Sequence, residues 1–194
     1  MTYMTAIAFF IAFSIFIGEI FLVISAIEYL WCTTHRQIPF VASSTHLRCA
    51  LVTEIEKHYP NATSLCDIGA GYGGLARFVA RNRDMTVVAL ENMPFTITVA
   101  RAMNLITRSH VKIIKCDAFS YLESAAHFDI GVAYLGPAVN HRLAEYRNAF
   151  DTIITFDVPI DGLRPTRTID VGHGSTHYGR RKYPHKLFVY DFRK

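Results

Sequence analysis

A glycine-rich segment, residues 66–74, carries the side chains best suited to hold a small charged ligand. It reads Cys-Asp-Ile-Gly-Ala-Gly-Tyr-Gly-Gly and begins in an apolar stretch that is typical of a buried strand. Glycines at a junction between strand and helix allow a sharp turn and let a ligand approach the main chain. The first N–H groups of the following helix can bind a carboxylate or a phosphate. The segment therefore predicts a ligand-binding loop.

The glycine spacing alone fits two classes of ligand. Gly69, Gly71 and Gly74 match G-x-G-x-x-G, the pattern of dinucleotide sites. Asp67, together with the glycines at 69, 71 and 73, matches D-x-G-x-G-x-G. The glycines therefore leave both classes open.

Three acidic residues favour one class. Asp67 lies two residues before the first glycine, where dinucleotide sites usually have an apolar strand residue. Glu91 ends the second predicted strand and can accept hydrogen bonds from both ribose hydroxyls, as also happens in NAD sites. Asp117 follows the third predicted strand, as expected of a residue near an adenine amino group. Each acid alone could cap a helix or lie in a solvated loop, but their succession at strand ends predicts S-adenosyl-L-methionine as the cofactor.

The elements that must position these residues alternate between strand and helix. Ser43 or Ser44 is suited to cap a helix that runs to about Tyr59. Alternation with short connections predicts an α/β fold with a Rossmann-like, mostly parallel sheet covered on both faces, and a late strand pair predicts an antiparallel C-terminal hairpin. The predicted strands are 64–68, 85–90, 111–115, 128–134, 152–156, 168–171 and 187–192, and the other predicted helices are 75–83, 94–103 and 143–147.

The N-terminal region predicts one transmembrane helix. Residues 6–30 are almost all apolar, and about 20 such residues span the hydrocarbon core of a bilayer. A signal peptide would carry positive charge before this run, and an interfacial helix would carry a basic face. We therefore predict an anchor and juxtamembrane segment over residues 1–36 and a catalytic domain over residues 37–194.

The charges around this helix predict its orientation. His35, Arg36 and Arg48 follow the apolar run, and no basic residue precedes it. The positive-inside rule then predicts a single-pass protein with its domain on the cytoplasmic side. That side faces the cytoplasm at a bacterial inner membrane, or the matrix at the mitochondrial inner membrane of a eukaryote.

The charge, the cysteines and the histidines of the chain indicate which other partners, such as lipid, nucleic acid or a metal, it is suited to bind. The net charge is +4, and the basic residues near the C-terminus suit a solvated face or anionic lipid headgroups, whereas no nucleic-acid-binding motif is recognisable. The four cysteines are far apart, which favours reduced thiols over a zinc site. His173 and His177 stand in a glycine-containing loop and would not share a helix face, so no metal site is predicted. The oligomeric state is left open.

The chain resembles the class I, seven-β-strand, S-adenosylmethionine-dependent methyltransferases. More narrowly, it is similar to the membrane-anchored protein-lysine methyltransferase family of the mitochondrial ATP synthase c-subunit lysine methyltransferase and its bacterial relatives. The N-terminal helix, the glycine loop and Glu91-Asn92 carry the resemblance, with Pro-Phe-Val-Ala-Ser at 39–43 and Tyr-Leu-Gly-Pro-Ala-Val-Asn at 134–140. The chain departs from the family at Ala42, where a second proline is usual, at Tyr72, where a short polar or acidic residue is usual, and in the loop around residues 173–177.

The pattern and the resemblance together imply a site. Residues after the fourth strand face the methyl acceptor in such folds, so Tyr134 is the candidate catalytic residue, and Asn140 and His141 are further candidates. In simpler interpretations Tyr134 packs against the cofactor, Asn140 caps a helix and His141 is a surface residue. The predicted cofactor-binding residues are Asp67, Gly69, Ala70, Gly71, Gly73, Glu91, Asn92, Asp117 and Ala118, with Phe40 and Ser43 closing over the cofactor from the anchor side.

The expected activity is therefore methylation of a lysine in a membrane-proximal protein. Two alternatives remain open: methylation of a lipid or another hydrophobic small molecule, and a non-catalytic scaffold that binds the cofactor.

Overall fold

The computed structural model describes residues 3–34, 42–124, 127–172, 175–176, 179–180 and 185–193. The backbone divides into two compact units, residues 1–40 and residues 41–194. The predicted boundary between residues 36 and 37 lies outside the described residues and stays a prediction.

The described part of the first unit is one helix, α1 (Tyr3–Thr34). Its segment Tyr3–Ile24 has a mean hydropathy of 2.7 and is long and apolar enough to cross a membrane. The hydroxyl of Ser14 is satisfied within the helix, because its Oγ donates to the Phe10 carbonyl oxygen at 2.8 Å. By length and composition, α1 can form the single span that the sequence predicts.

The second unit consists of strands and helices in alternation, as predicted. Its helices are α2 (Thr45–His58), α3 (Gly74–Asn82), α4 (Pro94–Ile106), α5 (Ala118–Ser124) and α6 (Pro137–Asn140), followed by a 3₁₀ helix over His141–Ala149. Its strands are β1 (Ser64–Ile68), β2 (Thr86–Glu91), β3 (Lys112–Lys115), β4 (Phe128–Ala133), β5 (Phe150–Phe156), β6 (Arg167–Gly172), β7 (Ser175–Thr176), β8 (Gly179–Arg180) and β9 (His185–Asp191).

Seven of the described strands form one sheet in the order β3-β2-β1-β4-β5-β9-β6. The strands from β3 to β5 run parallel, and Ile68 at the end of β1 lies between Leu90 of β2 and Ala133 of β4. Strand β9 runs antiparallel to both β5 and β6. The prediction of a mostly parallel α/β sheet with an antiparallel C-terminal pair is confirmed.

The central strands are buried on both faces, which explains why they read as continuous apolar runs rather than as alternating ones. One face packs against α2 and α3 through residues such as Leu65 and Val132. The other face packs against α5 and the 3₁₀ helix through residues such as Ile68 and Ile153. Two apolar cores therefore hold the carboxyl ends of β1, β2, β4 and β5 in fixed relative positions.

An ion-pair cluster at the opposite end of the sheet fastens α2 to its last strands. The Arg167 Nη2 lies 2.8 Å from the Glu54 Oε1, and the Arg167 Nη1 lies 3.1 Å from the Asp191 Oδ2. The Tyr59 hydroxyl donates to the Asp191 Oδ1 at 2.6 Å. These contacts fix the C-terminal end of α2 and leave its N-terminal end beside the carboxyl ends of the strands.

Candidate active site

The candidate site lies where β1 passes into α3, at the carboxyl edge of the sheet. Strand β1 is flanked by β2 on one side and by β4 on the other. From β1 the sheet extends through β2 to β3 in one direction and through β4 to β5 in the other. Such a switch point opens a crevice above the strand ends, where ligands of open α/β sheets bind. The predicted glycine loop begins at this position.

The loop has the backbone conformation that its glycines predict. Gly69, Gly71 and Gly73 have φ values of 72°, 55° and 69°, which lie in the left-handed region that side chains disfavour. The N–H groups of Gly69 and Ala70 donate to the Leu90 carbonyl oxygen at 3.0 and 2.9 Å, so the loop is tied to the end of β2. The turn therefore has a backbone that glycine adopts more readily than other residues do.

Glu91 closes the loop from the end of β2. Its Oε2 accepts a hydrogen bond from the Gly71 N–H at 2.8 Å. Its Oε1 accepts from the Asn92 and Met93 N–H groups at 2.8 and 3.0 Å. Glu91 and the glycine loop thus form one hydrogen-bonded unit, with Asn92 exposed next to it.

Asp67 lies beneath this loop and is only 3% exposed. Burial raises its pKa to about 7, the charge of Glu91 pushes in the same direction, and a hydrogen bond from the Ala76 N–H opposes the shift. Its Oδ2 is buried and has no hydrogen-bond partner among the residues that the structure describes. A carboxylate oxygen in this state is suited to receive a donor from a ligand.

Arg48, which the sequence did not single out for the site, lies close to Asp67. Its Nε donates to the Ser43 Oγ at 2.9 Å, and its Nη2 lies 2.9 Å from the position that a Cβ on Gly74 would take. Burial lowers the pKa of Arg48, and attraction to Asp67 opposes that shift. Ser43 therefore reaches the site through Arg48, whereas Phe40 lies outside the described residues.

Asp117 occupies the predicted place after β3 but is engaged with its own helix. Its Oδ1 accepts a hydrogen bond from the Ser120 N–H at 2.9 Å, in the first turn of α5. The Cys116 N–H donates to the Glu91 carbonyl oxygen at 3.0 Å and joins this strand end to β2. Asp117 is exposed and Ala118 is half-buried. The structure thus brings Asp67 and Glu91 together and leaves Asp117 farther along the same edge.

On the other side of the loop, Tyr134 follows β4. Its hydroxyl donates to the Asp157 Oδ2 at 2.9 Å, and its ring packs against Phe156 with 5.6 Å between the centroids. The next residue, Leu135, covers the loop, since its Cδ2 lies 2.8 Å from where a Cβ on Gly69 would be. Tyr134 therefore stands beside the glycine loop, at the edge where the sequence placed it.

Asp157 and His185, which sequence reasoning missed, complete this side. Asp157 follows β5 with a φ of 61°, and its Oδ1 accepts from the Lys186 N–H at 3.0 Å. The His185 Nδ1 lies 2.9 Å from the Asp157 Oδ2. Burial alone would raise the pKa of Asp157, but the hydrogen bonds from Lys186, His185 and Tyr134 outweigh it and hold the pKa below its usual range.

Asn140 and His141, the two further candidates for the acceptor side, differ in exposure. Asn140 is 1% exposed, and its Nδ2 donates to the Val158 and Pro159 carbonyl oxygens at 2.8 and 3.0 Å. Its side chain therefore fixes the loop after β5 and makes no capping hydrogen bond to the 3₁₀ helix. His141 is exposed, as the interpretation of a surface histidine expects. His173 and His177 lie outside the described residues.

Known proteins resemble the chain in structure and not in sequence. No family model and no curated protein matches it. An RNA methyltransferase from Salinibacter ruber, solved with S-adenosyl-L-homocysteine, has a TM-score of 0.62 at 18% identity over 79% of this chain and 95% of its own. Precorrin-6y C5,15-methyltransferase from Geobacter metallireducens has a TM-score of 0.61 at 11% identity over 81% of this chain and 92% of its own.

A third similar structure is TrmK from M. capricolum, solved with S-adenosyl-homocysteine, with a TM-score of 0.52 at 12% identity over 74% of this chain and 68% of its own. At such low sequence identities the structural similarity shows the fold alone. The similar proteins are named for different molecules. The second unit of the chain has the seven-stranded fold of the class I methyltransferases.

Proposed function

We propose that the chain is an S-adenosylmethionine-dependent methyltransferase. Asp67, Glu91 and the glycine loop lie together at the switch point of a methyltransferase fold, and we base the proposal on this observation. We call this group of residues the cradle. Solved neighbours with S-adenosyl-homocysteine support the same cofactor class.

The residues of the cradle fit the charges of this cofactor. The cofactor's amino-acid end carries an ammonium and a carboxylate, and the buried Asp67 Oδ2 lacks a donor among the described residues. Arg48, next to Asp67, supplies a positive charge for the carboxylate. Glu91 already binds the loop through Gly71 and stands where ribose hydroxyls are expected. Asp67 and Arg48 would therefore hold the amino-acid end and Glu91 the ribose.

This cofactor supplies a methyl group. In the transfer, a lone pair of the nucleophile bonds to the methyl carbon, and the carbon–sulfur bond breaks with its electron pair left on sulfur. The protein must position the nucleophile and exclude water. Tyr134, beside Leu135 and Gly69, is the residue that we assign to the acceptor side.

We further propose that the acceptor is a lysine of a membrane-proximal protein. The apolar helix α1 supports a membrane anchor, since Tyr3–Ile24 has the length and composition of a span. An anchor confines the domain to the bilayer surface and to substrates found there. The charges that follow the helix favour the cytoplasmic side, or the matrix side in a eukaryote.

Cofactor binding can be tested by calorimetry on the full chain in lipid nanodiscs. S-adenosylhomocysteine should bind, and Asp67→Asn and Glu91→Gln should each weaken it at least tenfold because each removes a charged partner. Asp84→Asn is a matched control, since Asp84 is an exposed acid before β2, at the other end of the sheet. Absence of nucleoside binding, or binding of NAD instead, would refute the proposal.

The acceptor can be identified with methyl-labelled adenosylmethionine and native membranes. We expect label in a protein band, at a lysine that mass spectrometry can map. Label in the chloroform extract would replace lysine with a lipid acceptor, and label in RNA would match the activity that the Salinibacter ruber neighbour is named for. Binding without incorporation in any fraction would favour a scaffold.

A further inference from the structure

The C-terminal end of α4 carries apolar side chains that lie outside the core. Leu105 is 81% exposed, Ile106 is 72% exposed and Met103 is 38% exposed. Among the described residues of the second unit, these are the large apolar side chains that are exposed. Single apolar residues on a surface are ordinary, but a group on one helix end is typical of an interaction site.

The packing of α4 explains why these side chains face solvent. Thr96, Ile97 and Ala100 are the buried residues of the helix. Asn104 continues the same face, because it follows Ile97 by seven residues and Ala100 by four. Its Nδ2 donates to the Val111 carbonyl oxygen at 2.9 Å, so a polar side chain fastens the helix end to the start of β3. The fold of the domain therefore does not use the neighbouring apolar side chains.

Exposed basic residues surround this apolar group. Arg101 precedes Leu105 by one helical turn on the same face, and the Arg108 N–H donates to the Leu105 carbonyl oxygen at 3.1 Å. Lys112 is exposed on β3, the edge strand of the sheet. The segment 92–116 contains no acidic residue, and these three cations form no ion pair with a described residue. We call the following residues the α4 patch: Arg101, Met103, Leu105, Ile106, Arg108 and Lys112.

Arg108 stands where a helix end favours glycine. Its φ is 49°, in the left-handed region, and the next N–H, that of Ser109, donates to the Asn104 carbonyl oxygen at 2.9 Å. Glycine is the usual residue at this position of such a helix end, and an arginine there is strained. The strain does not help the fold, so it points to a role for the Arg108 side chain at the surface.

We propose, on the basis of the membrane anchor in the proposed function, that the α4 patch docks the domain on an anionic lipid surface. Aliphatic side chains that enter the headgroup region leave water, and the surrounding cations meet lipid phosphates. A nucleic acid would match the charges, but its backbone offers nothing apolar to Leu105 and Ile106, and the patch has no aromatic side chain on which a base could stack. Contact with the same patch of a second copy would bring like charges together.

Docking through the α4 patch leaves the cofactor crevice uncovered. Helix α4 begins at Pro94, three residues after Glu91, and its 13 residues rise by about 20 Å to the patch. Because an anchor would keep the domain near the bilayer, even a weak patch is enough to dock it. Changes in the patch should therefore leave nucleoside binding intact, which separates docking from both folding and the site.

Photocrosslinking of the full chain in nanodiscs tests the proposal. With p-benzoylphenylalanine in place of Leu105, we expect lipid adducts, counted by mass spectrometry, on discs of equal parts phosphatidylcholine and phosphatidylglycerol. Discs of phosphatidylcholine alone should give about fivefold fewer adducts, because each basic residue binds an anionic surface more tightly. The same probe in place of Glu145, an exposed residue of the 3₁₀ helix, measures the background.

Charge variants should act on the adduct yield at position 105. Arg101→Gln combined with Lys112→Gln should lower it about fivefold on the anionic discs. Arg108→Gly removes a charge and relieves the left-handed backbone, so it should lower the yield without lowering the Tm. Lys57→Gln combined with Arg147→Gln is the matched control, since it removes two exposed charges outside the patch and should leave the yield unchanged. All these variants should bind S-adenosylhomocysteine as the unaltered chain does.

Three results would overturn the docking. Equal yields on the two kinds of disc, or a yield that the patch variants do not change, would refute it, while retention of the chain in the discs and nucleoside binding would leave the proposed function standing. Crosslinks to a second copy of the chain, or to RNA added to the discs, in place of lipid would show a different occupant. If neither kind of disc retains the unaltered chain, the membrane anchor of the proposed function fails and the docking fails with it.

Discussion

At the scale of single residues, Asp67 links ligand binding to pH. Burial raises its pKa to about 7, so much of the ligand-free protein carries a neutral acid at pH 6. Because the pKa of Asp67 is higher in the folded protein than in the unfolded chain, the proton bound to Asp67 stabilises the folded state at low pH. This stabilisation is lost as the pH rises through 7. A ligand ammonium needs the ionised form, so affinity has the opposite pH dependence.

We therefore expect the Kd for S-adenosylhomocysteine to fall about tenfold between pH 6 and pH 8, as Asp67 ionises. Calorimetry at the two pH values measures this change. Asp67→Asn should bind weakly and with little pH dependence between these values. An unchanged Kd in the unaltered protein would show that Asp67 does not meet the ligand's ammonium.

Substitution of two glycines with left-handed backbones can distinguish the effect of backbone strain from an effect on the binding site. Gly69 has a φ of 72°, and a Cβ there would lie 2.8 Å from the Leu135 Cδ2. Gly162 has a φ of 79°, but a Cβ there would meet nothing within 4 Å. Gly69→Ala and Gly162→Ala should each cost about 1 kcal/mol in the free energy of unfolding, because both force alanine into the left-handed region.

Only Gly69→Ala should also weaken nucleoside binding, since its new methyl group displaces Leu135 from the loop. Denaturant unfolding and calorimetry on both variants make the comparison. Equal loss of affinity in the two variants would mean that strain, rather than the cradle, controls binding.

The site residues that the sequence predicted are those set by local pattern. Asp67 and Glu91 lie at the carboxyl ends of buried strands, and parallel strands bring these ends to one edge of the sheet. Arg48 meets Asp67 only through the packing of α2, and Asp157 meets His185 only because β9 turns back along β5. No spacing in a single sequence records such contacts, because they join separate elements.

At the scale of elements, burial on both faces made the strands predictable. Strand β1 has the predicted bounds, and β4 and β5 differ from theirs by one or two residues at an end. Helix α5, with 7 residues, is too short to show a helical period, and it was missed. The segment predicted as a helix over 143–147 is part of a 3₁₀ helix, in which the period of 3.6 does not apply.

Two neighbouring serines at the start of α2 should have separable roles. The Ser44 Oγ accepts from the Leu47 N–H at 3.3 Å and caps the helix, whereas the Ser43 Oγ accepts from the Arg48 Nε at 2.9 Å. Ser44→Ala should lower the free energy of unfolding by about 1 kcal/mol, the usual loss for an N-cap. Ser43→Ala should instead weaken nucleoside binding through Arg48. The reverse outcome in unfolding and calorimetry would contradict this assignment.

At the scale of the whole molecule, the fold and the substrate are separate questions. The neighbours share the seven-stranded architecture, yet one is named for RNA and another for a precorrin. A shared sheet places a cofactor crevice but leaves the acceptor to the loops around it. For this chain, our proposal of a membrane-proximal acceptor depends on α1, because a membrane span would restrict acceptors to the bilayer surface.

The role of α1 can be tested without shortening the chain. Phe13→Arg combined with Ile17→Arg places two charges near the centre of the predicted span, each costing about 2.5–3.5 kcal/mol in insertion. The variant should leave the carbonate-resistant membrane fraction and keep its affinity for S-adenosylhomocysteine, because α1 and the domain are separate compact units. Met4→Arg is the control, since a charge at the helix end can reach the headgroups. If the double variant stays carbonate-resistant, α1 is not the anchor. If the unaltered chain is itself absent from the carbonate-resistant fraction, confinement to the membrane no longer supports a membrane-proximal acceptor.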